Sequence, residues 1–152
     1  MRLATLCYVK QNDHTLMIHR IKKANDIHQR KWNGLGGKLE PGESPEQCVF
    51  REVVEEAGLR ILQPRYHGLL LFAGFKADDW YVWVFSADHF TGQLLGNSDE
   101  GHLMWIPDKE LLSLNLWPSD LIFLPWVNTG QIFSARFQYH GDEMLGHDVA
   151  FY

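Results

Sequence analysis

The 152-residue sequence has two cysteines, no long apolar run and no surplus of positive charge. Cys7 and Cys48 make no disulfide framework, and a chain of this length needs none, because it buries roughly 70% of the surface its unfolded form exposes. A reducing, cytoplasmic setting is therefore expected. The densest apolar runs are LLLF at 69–72 and LIFLPWV at 121–127, far short of the roughly 20 residues of a membrane span. MRLATLCYVK has no extended apolar core and no small-residue cleavage site, so no signal peptide is expected. Lys and Arg number 14 against 19 Asp and Glu, a formal net charge of −5, which argues against a nucleic-acid polymer as partner. Internal repeats, low-complexity runs and Ser/Pro linkers are also missing, so residues 1–152 read as a single domain. The eight histidines show no ligand spacing and neither cysteine completes one, so a zinc site is not expected.

What is present is a core-forming chain, 45% hydrophobic, with six Trp. Residues 3–9 and 15–20 read as strands around a turn at Gln11-Asn12-Asp13. Residues 21–31 are polar and irregular and read as a loop. Ser44-Pro45-Glu46-Gln47 has the form of a capping box with Pro at the first helical position, and Gly58 is a C-terminal stop. A helix over 45–57 follows. Residues 65–76 and 80–90 read as strands joined at Ala77-Asp78-Asp79, and 102–106 as a shorter one. Pro107 and Pro118 open short helices, the second reaching about Val127. Residues 131–139 and 144–151 close the chain as a hairpin around Gly141-Asp142. The fold class is α+β, a mixed sheet between helices.

The segment Gly37 to Leu59, GKLEPGESPEQCVFREVVEEAGL, carries the chemistry. On a wheel of about 100° per residue, Glu52, Glu55 and Glu56 share an arc of roughly 100°. Phe50, Val53, Val54 and Ala57 gather opposite them. This helix is expected to bury that apolar face and point three acids from the other. Like charges one turn apart destabilise a bare helix by a few tenths of a kcal/mol per pair. Arg51 answers one acid, with Glu43 the candidate, and the remaining cluster of hard oxygens suits Mg²⁺, with Mn²⁺ as a substitute. A solvated acidic face is the other reading of the three glutamates. Cys48 reads as a packing residue rather than a nucleophile.

Gly37, five residues, Glu43, seven residues, Arg51-Glu52, Val53, Val54, Glu55-Glu56, Ala57, Gly58, Leu59 reproduces the Nudix box without a departure. The chain thus resembles a Nudix hydrolase. The resemblance implies a mixed sheet sandwiched between helices, with divalent metal held by Glu52, Glu55 and Glu56 and helped by a carbonyl of Gly36 or Gly37. It also implies an Arg51–Glu43 pair bracing the loop. Bound metal neutralises phosphate oxygens and acidifies water, which lets an acidic protein cleave a diphosphate bond. One acid then takes the water's proton.

Beyond the box, Lys31-Trp32-Asn33-Gly34-Leu35-Gly36-Gly37-Lys38, Ser98-Asp99-Glu100, Trp105, Trp117-Pro118 and the segment from Phe133 onward are similar to MutT-type and human-type oxidised-purine nucleoside triphosphatases. The similarity implies that Asn33, Trp117 and Asp120 contact the base and that Glu100 is a further metal ligand or base. Leu35, Gly36, Gly37, Lys38, Ser119, Thr5 and Arg20 would lie near the substrate. Asn offers a purine edge both donor and acceptor, and Trp117 offers a stacking face. Each has a structural alternative. Asn33-Gly34 is an ordinary turn pair, Trp117 suits a core, and Asp120 suits the first turn of a helix. One departure stands out: human-type enzymes carry two consecutive acids after Trp-Pro, and here the pair is Ser119-Asp120. Guanine-type substrates are therefore expected ahead of adenine-type ones. The expected activity is hydrolysis of 8-oxo-dGTP and related nucleotides to monophosphate and pyrophosphate. The alternatives are a hydrolase of ADP-ribose or dinucleoside polyphosphates, and a non-catalytic nucleotide-binding regulator on the same fold. Monomer and homodimer are both open.

Overall fold

The computed structural model describes residues 1–21, 26 and 28–152. The expected loop over 21–31 is therefore seen in part; 22–25 and 27 lie outside the described residues. β1 (Arg2–Gln11) is buried on both faces, with Ala4 and Tyr8 on one and Cys7 and Val9 on the other, as suits a central strand between two layers. It turns into β2 (His14–His19) through Asn12 and Asp13, both at positive φ, 51° and 60°. Two left-handed residues match the twist of a two-residue hairpin.

That hairpin soon splays. β1 and β2 pair only at Lys10↔Thr15 and Gln11↔His14. β2 goes on to pair with β3 (Trp32–Asn33) and β8 (His102–Pro107). The edge of β1 so released is taken by the glycine-rich segment 35–39. Thr5 N–H donates to Gly37 O at 2.9 Å and Leu39 N–H to Leu3 O at 3.0 Å, and Cys7 and Leu35 exchange bonds of 2.6 and 3.0 Å. On its other side β1 runs parallel to β6 (Asp78–Ala87), from Arg2↔Trp80 to Val9↔Ala87. β6 is antiparallel to β5 (Arg65–Phe75), β5 parallel to β9 (Phe133–Gly141), and β9 antiparallel to β10 (Glu143–Phe151). The sheet is mixed, as expected.

α1 (Pro45–Ala57) has the anticipated limits. Gln47 N–H donates to Ser44 Oγ at 3.1 Å and Ser44 N–H to Gln47 Oε1 at 2.9 Å, the reciprocal capping box. Gly58, at φ 75°, ends the helix by donating its N–H to Val54 O. The buried side is not the one expected. Cys48, Val49, Val53, Glu56 and Ala57 are buried, whereas Phe50 and Val54 are 39% and 36% exposed. On the wheel this buried arc centres on the side of Glu56. The helix lies on the sheet through small and β-branched residues, and two of its acids, Glu52 and Glu56, are turned inward with them. Glu55 alone of the three faces solvent.

α2 (Pro118–Phe123) covers the opposite face and continues as a 3-10 turn, Leu124–Asn128, as expected for the segment opened by Pro118. Pro107 leads into a second 3-10 turn, Asp108–Ser113. The β5–β6 turn falls at Lys76 and Ala77, a residue earlier than expected, because these two take the positive φ and Asp78 already begins β6. Two short strands escaped the sequence, β3 and β4 (Arg60–Leu62), and the strand expected over 80–90 breaks after Ala87, its end forming β7 (His89–Thr91), which pairs with β4. Segments of two or three residues show no readable period. The sheet divides the core in two. Val49, Val53 and Ala57 of α1 pack with Cys7, Val9 and Phe85 on one side. Phe123, Leu124 and Val127 pack with Tyr8, Leu70, Val84 and Phe137 on the other. Among the described residues no helix is long and apolar enough to cross a membrane.

Candidate active site

A cavity of about 730 Å³ opens along the sheet, reaching from the acids of α1 to the first turn of α2. At the α1 end the backbone of Gly36 and Gly37 is pressed against its surroundings. Gly36 sits at φ 147°, and a Cβ there would lie 2.0 Å from Thr5 O. A Cβ on Gly37 would lie 2.4 Å from the carboxylate carbon of Glu52. Only glycine fits at 36, where backbone blocks a Cβ, and at 37 a side chain would push the Glu52 carboxylate aside. The approach lets Gly36 N–H donate to Glu56 Oε1 at 2.7 Å.

Arg51 organises the acids around it. Its Nε donates to Glu43 Oε2 at 2.7 Å and its Nη2 to Glu43 Oε1 at 2.9 Å, a bidentate pair. This is the brace anticipated between Arg51 and Glu43. The arginine reaches further than expected. Nη1 donates to Glu52 at 2.8 Å and Glu55 at 3.3 Å, and Nη2 donates to Lys38 O at 3.1 Å. Glu43 is held down to about pH 2 by the Arg51 hydrogen bond, and Arg51's own proton is held more tightly than usual by Glu43.

Glu52 and Glu56 behave in the opposite way. Burial raises the pKa of both, Arg51 opposing it at Glu52 and Gly36 N–H at Glu56; the charge of Glu100 adds to the rise at each. Glu100 faces them from the loop before β8, with Arg20 Nη1 at 3.4 Å from its Oε2. Arg20 is fixed by Asp26, Nε to Oδ2 at 2.7 Å. Among the described residues no three of these side chains close into a finished metal cage. The donor set is nevertheless that of a hard cation: carboxylates turned inward, buried against their own charge, with a backbone turn alongside. Glu55 stands apart, its side chain 58% exposed and touching Arg51.

The α2 end is aromatic. Phe72, Phe75, Trp80, Trp117 and Tyr139 line it. Trp117 is both core and wall. Phase by phase its ring is fixed: Phe75 meets it edge-on at 4.8 Å, Lys31 Nζ lies 4.8 Å from its centroid, and Nε1–H donates to His28 Nδ1 at 2.9 Å. Asp120 occupies the first turn of α2 and also lines the cavity. Burial pushes its carboxyl up to about 7, with Lys31 and a Ser119 hydrogen bond pulling the other way. Asn33, on β3, has a buried Nδ2 with no hydrogen-bond partner.

Of the other residues expected near a substrate, Thr5, Arg20, Gly36, Gly37, Lys38 and Ser119 line the cavity. The Thr5 hydroxyl is engaged with Cys48 Sγ at 3.3 Å, and Cys48 is buried, its thiol pushed up to about 11, mainly by burial. It packs, as expected. Leu35 does not line the cavity. It alternates with Gly34 and Gly36 along the edge of β1, and so its side chain falls on the α1 side, in the core with Val49 and Val53. Sequence reasoning missed His28, Phe72, Phe75, Lys76, Trp80 and Tyr139. His28 lay in a segment without pattern, and the strand residues looked like ordinary alternation.

The sequence model of the NUDIX domain family matches residues 1–127. An uncharacterised Nudix hydrolase, YvcI, of Bacillus subtilis is 30% identical over 135 residues, 86% of this chain and 82% of that protein. The oxidized purine nucleoside triphosphate hydrolase of Danio rerio is 28% identical over 145 residues, covering 95% of this chain and 90% of its own. The crystal structure of a MutT protein from Bacillus halodurans superposes with a TM-score of 0.88 at 28% identity, covering 98% of this chain and 97% of that one.

Proposed function

The chain belongs to the NUDIX domain family and is a MutT-type Nudix pyrophosphohydrolase, and on that premise we propose that it cleaves oxidised purine nucleoside triphosphates, 8-oxo-dGTP first, to monophosphate and pyrophosphate. The observation that carries the purine is the unpartnered Nδ2 of Asn33 in the wall of the cavity that Trp117 and Asp120 also line. A buried donor left unpaired costs about 1–3 kcal/mol, and a purine edge removes that cost. The relative from Danio rerio, which spans nearly the same length, carries that activity in its name.

Glu52, Glu56 and Glu100 would hold Mg²⁺, or Mn²⁺ in its place. Gly37 O already accepts from Thr5 N–H, which leaves Gly36 O as the glycine carbonyl suited to join them. Glu55, exposed beside Arg51, would be the remaining acid of α1 available to the ion. The ion neutralises phosphate oxygens and acidifies water when bound. The chain's own residues do the rest. One inward acid accepts the water's proton, while Arg51 and Glu43 keep the Gly37–Glu43 loop rigid against α1. Lys38 and Arg20, both on the cavity wall, face the triphosphate. Both ends of the chain reach one cavity, Arg2 and Tyr139 among its lining, so residues 1–152 act as one catalytic unit.

Water attacks the β-phosphorus in this reading. Hydrolysis of 8-oxo-dGTP in ¹⁸O-water should put the label in pyrophosphate and none in the monophosphate. A pyrophosphate-release panel of 8-oxo-dGTP, dGTP, ADP-ribose and a dinucleoside tetraphosphate should show the highest kcat/KM for 8-oxo-dGTP. Inorganic phosphate as the main product, or preference for ADP-ribose, would contradict the assignment.

A further inference from the structure

The ammonium group of Lys31 is held by the loop that leads into α2. Its Nζ donates to Asn115 Oδ1 at 3.1 Å and to Leu116 O at 3.4 Å, and it lies 4.8 Å from the centroid of the Trp117 ring. The grip runs both ways. Asn115 Nδ2 donates to Arg30 O at 3.0 Å, and Trp32 N–H donates to Asn115 O at 3.0 Å. Residues 30–32 are thus tied to residues 115–117 by side chain and backbone together. The segment has only a short ladder on the sheet, because β3 pairs with β2 at Ile18↔Asn33 and His19↔Trp32 alone. Arg30 also sits at φ 68°, a left-handed conformation that a residue other than glycine keeps only where its surroundings over-determine it. Its N–H donates to Arg20 O at 2.6 Å and its carbonyl takes the Asn115 amide. The other ammonium near the indole, Lys76 Nζ at 5.8 Å, is paired instead with Asp142, between β9 and β10, at 3.7 Å.

We propose that Lys31 is a positioning residue for base selection: clasped by Asn115 and Leu116 over the Trp117 ring, it locks Trp117 to the segment that carries Asn33 and so fixes the gap that a base enters. The inference rests on the reading of the larger cavity as a purine triphosphate site. Trp117 lines both that cavity and a second one of about 600 Å³, whereas Lys31 lines the second and not the first. Lys31 therefore acts on a bound base through the indole and through the backbone that leads to Asn33, not by contact. A cation over an aromatic face holds the ring in place. Asn33 brings its unpartnered Nδ2 to the same cavity. That donor suits guanine, which presents the acceptor O6 where adenine presents the donor N6–H₂. A shift of Asn33 against Trp117 weakens this distinction and leaves the acids of α1 as they are.

The experiment measures kcat/KM for 8-oxo-dGTP and 8-oxo-dATP, which differ only in the purine edge, in the native protein, Lys31→Met, Lys31→Arg, Asn115→Ala and the double variant Lys31→Met with Asn115→Ala. The native protein should prefer the guanine form. Lys31→Met keeps the apolar stem and removes the cation, and it should lower the preference ratio by roughly three- to tenfold, the scale of one cation–π contact or hydrogen bond. Lys31→Arg returns a cation and donors to the ring and should recover most of that loss. Asn115→Ala cuts the same clasp without changing a charge and should lower the ratio roughly threefold. The double variant should match Lys31→Met within about twofold, because both changes open one clasp. Equal losses on both nucleotides with an unchanged ratio would give Lys31 a purely structural role and overturn the inference, since a smaller folded fraction scales both rates alike. Additive effects of the two single changes would overturn it too. So would a ratio that moves in Lys31→Met and not in Asn115→Ala, because that pattern belongs to the charge of Lys31 acting on Asp120. Should Lys31→Met not fold, an unchanged ratio in Asn115→Ala overturns the inference by itself. A native protein that hydrolyses neither nucleotide refutes the purine reading itself and this inference with it.

Discussion

At the α1 end of the cavity four acids, Glu40, Glu43, Glu52 and Glu55, stand within 4 Å of one guanidinium. At the α2 end the buried carboxylate of Asp120 stands among aromatic rings, with the ammonium groups of Lys31 and Lys76 over the Trp117 ring. On the proposed reading the first end handles the charge of the triphosphate and is blind to the base. The second is largely aromatic and, on the same reading, tells one base from another, because a polar group left unmatched under a bound base has no water to fall back on. Changes at the first should affect every nucleotide alike, and changes at the second should affect nucleotides according to their base.

The largest effect is expected at Glu56. It is 6% exposed, turned inward from α1 and bonded to Gly36 N–H. Glu56→Gln keeps the shape and removes a charge from the proposed metal site, so kcat should fall about a thousandfold or more, on the scale of losing a principal catalytic group. The loss should be the same for 8-oxo-dGTP and dGTP. Thermal melting should be unchanged or higher, because a carboxyl whose burial penalises its charge has been neutralised. Chelation with EDTA should abolish turnover and excess Mg²⁺ restore it. Full activity in chelator would break the picture of a charge-handling end.

Asp120→Ala comes next. It removes the carboxylate from the first turn of α2 and should lower kcat/KM for 8-oxo-dGTP by roughly ten- to hundredfold. Unlike Glu56→Gln, it should also compress the preference for 8-oxo-dGTP over dATP. A uniform loss across bases would erase the distinction between the two ends.

The same contrast explains what could be read from the sequence. The α1 end comes from one continuous stretch, Gly36 to Gly58, so spacing revealed its glycines, its Arg51–Glu43 brace, its acids and the limits of its helix. The wheel still put the acids on the wrong side of the packing. It weighed Phe50 and Val54 as core, whereas Cys48, Val49, Val53 and Ala57 pack more closely and bring Glu52 and Glu56 inward with them. The α2 end is gathered from β3, β5, β6, α2 and β9, and its members are adjacent only after the sheet has formed. Asn33, Trp117 and Asp120 came from likeness to a family. Tyr139 and His28 carried no sequence signal, since an alternating strand and an irregular loop look the same whether or not they face a cavity. β4 was too short to show a period.

pH should separate the ends more finely. Asp120 has its pKa raised from 3.8 to about 7 by burial. A raised acid favours folding below its ordinary pKa, and that advantage is lost as pH climbs from about 4 to about 7. Asp120→Asn should remove this part of the slope, gaining at neutral pH at most on the order of 4 kcal/mol before any loss of the Ser119 hydrogen bond. Glu52 and Glu56 are raised as well, so the informative quantity is the difference between native and variant melting temperatures across pH 4 to 8. Activity runs the other way. The ionised Asp120 is the acceptor, so kcat/KM for 8-oxo-dGTP should rise through about pH 7, and Asp120→Asn should flatten that limb. A limb that survives in Asp120→Asn belongs to the α1 acids instead.

The smallest effect, and the sharpest control on the pH assignment, is expected from His28. Its Nδ1 accepts the Trp117 indole N–H, which requires a neutral ring. Burial, with Arg20 and Lys76 adding to it and Asp26 opposing, lowers its pKa to about 4. The bond to Trp117 is therefore intact from pH 8 down to about 5 and is lost only as pH falls through about 4. His28→Gln puts a carbonyl oxygen within reach of the same indole but gives up the ring contact with Phe75, whose centroid lies 6.1 Å away. KM for purine triphosphates should rise by roughly two- to tenfold, as for one hydrogen bond and a weak contact, with kcat nearly unchanged. The limb near pH 7 should stay where it is, because His28 carries no charge there to lose. If His28→Gln shifts or abolishes that limb, the titrating group at the α2 end is the histidine rather than Asp120, and the assignment of the limb to the Asp120 carboxylate fails.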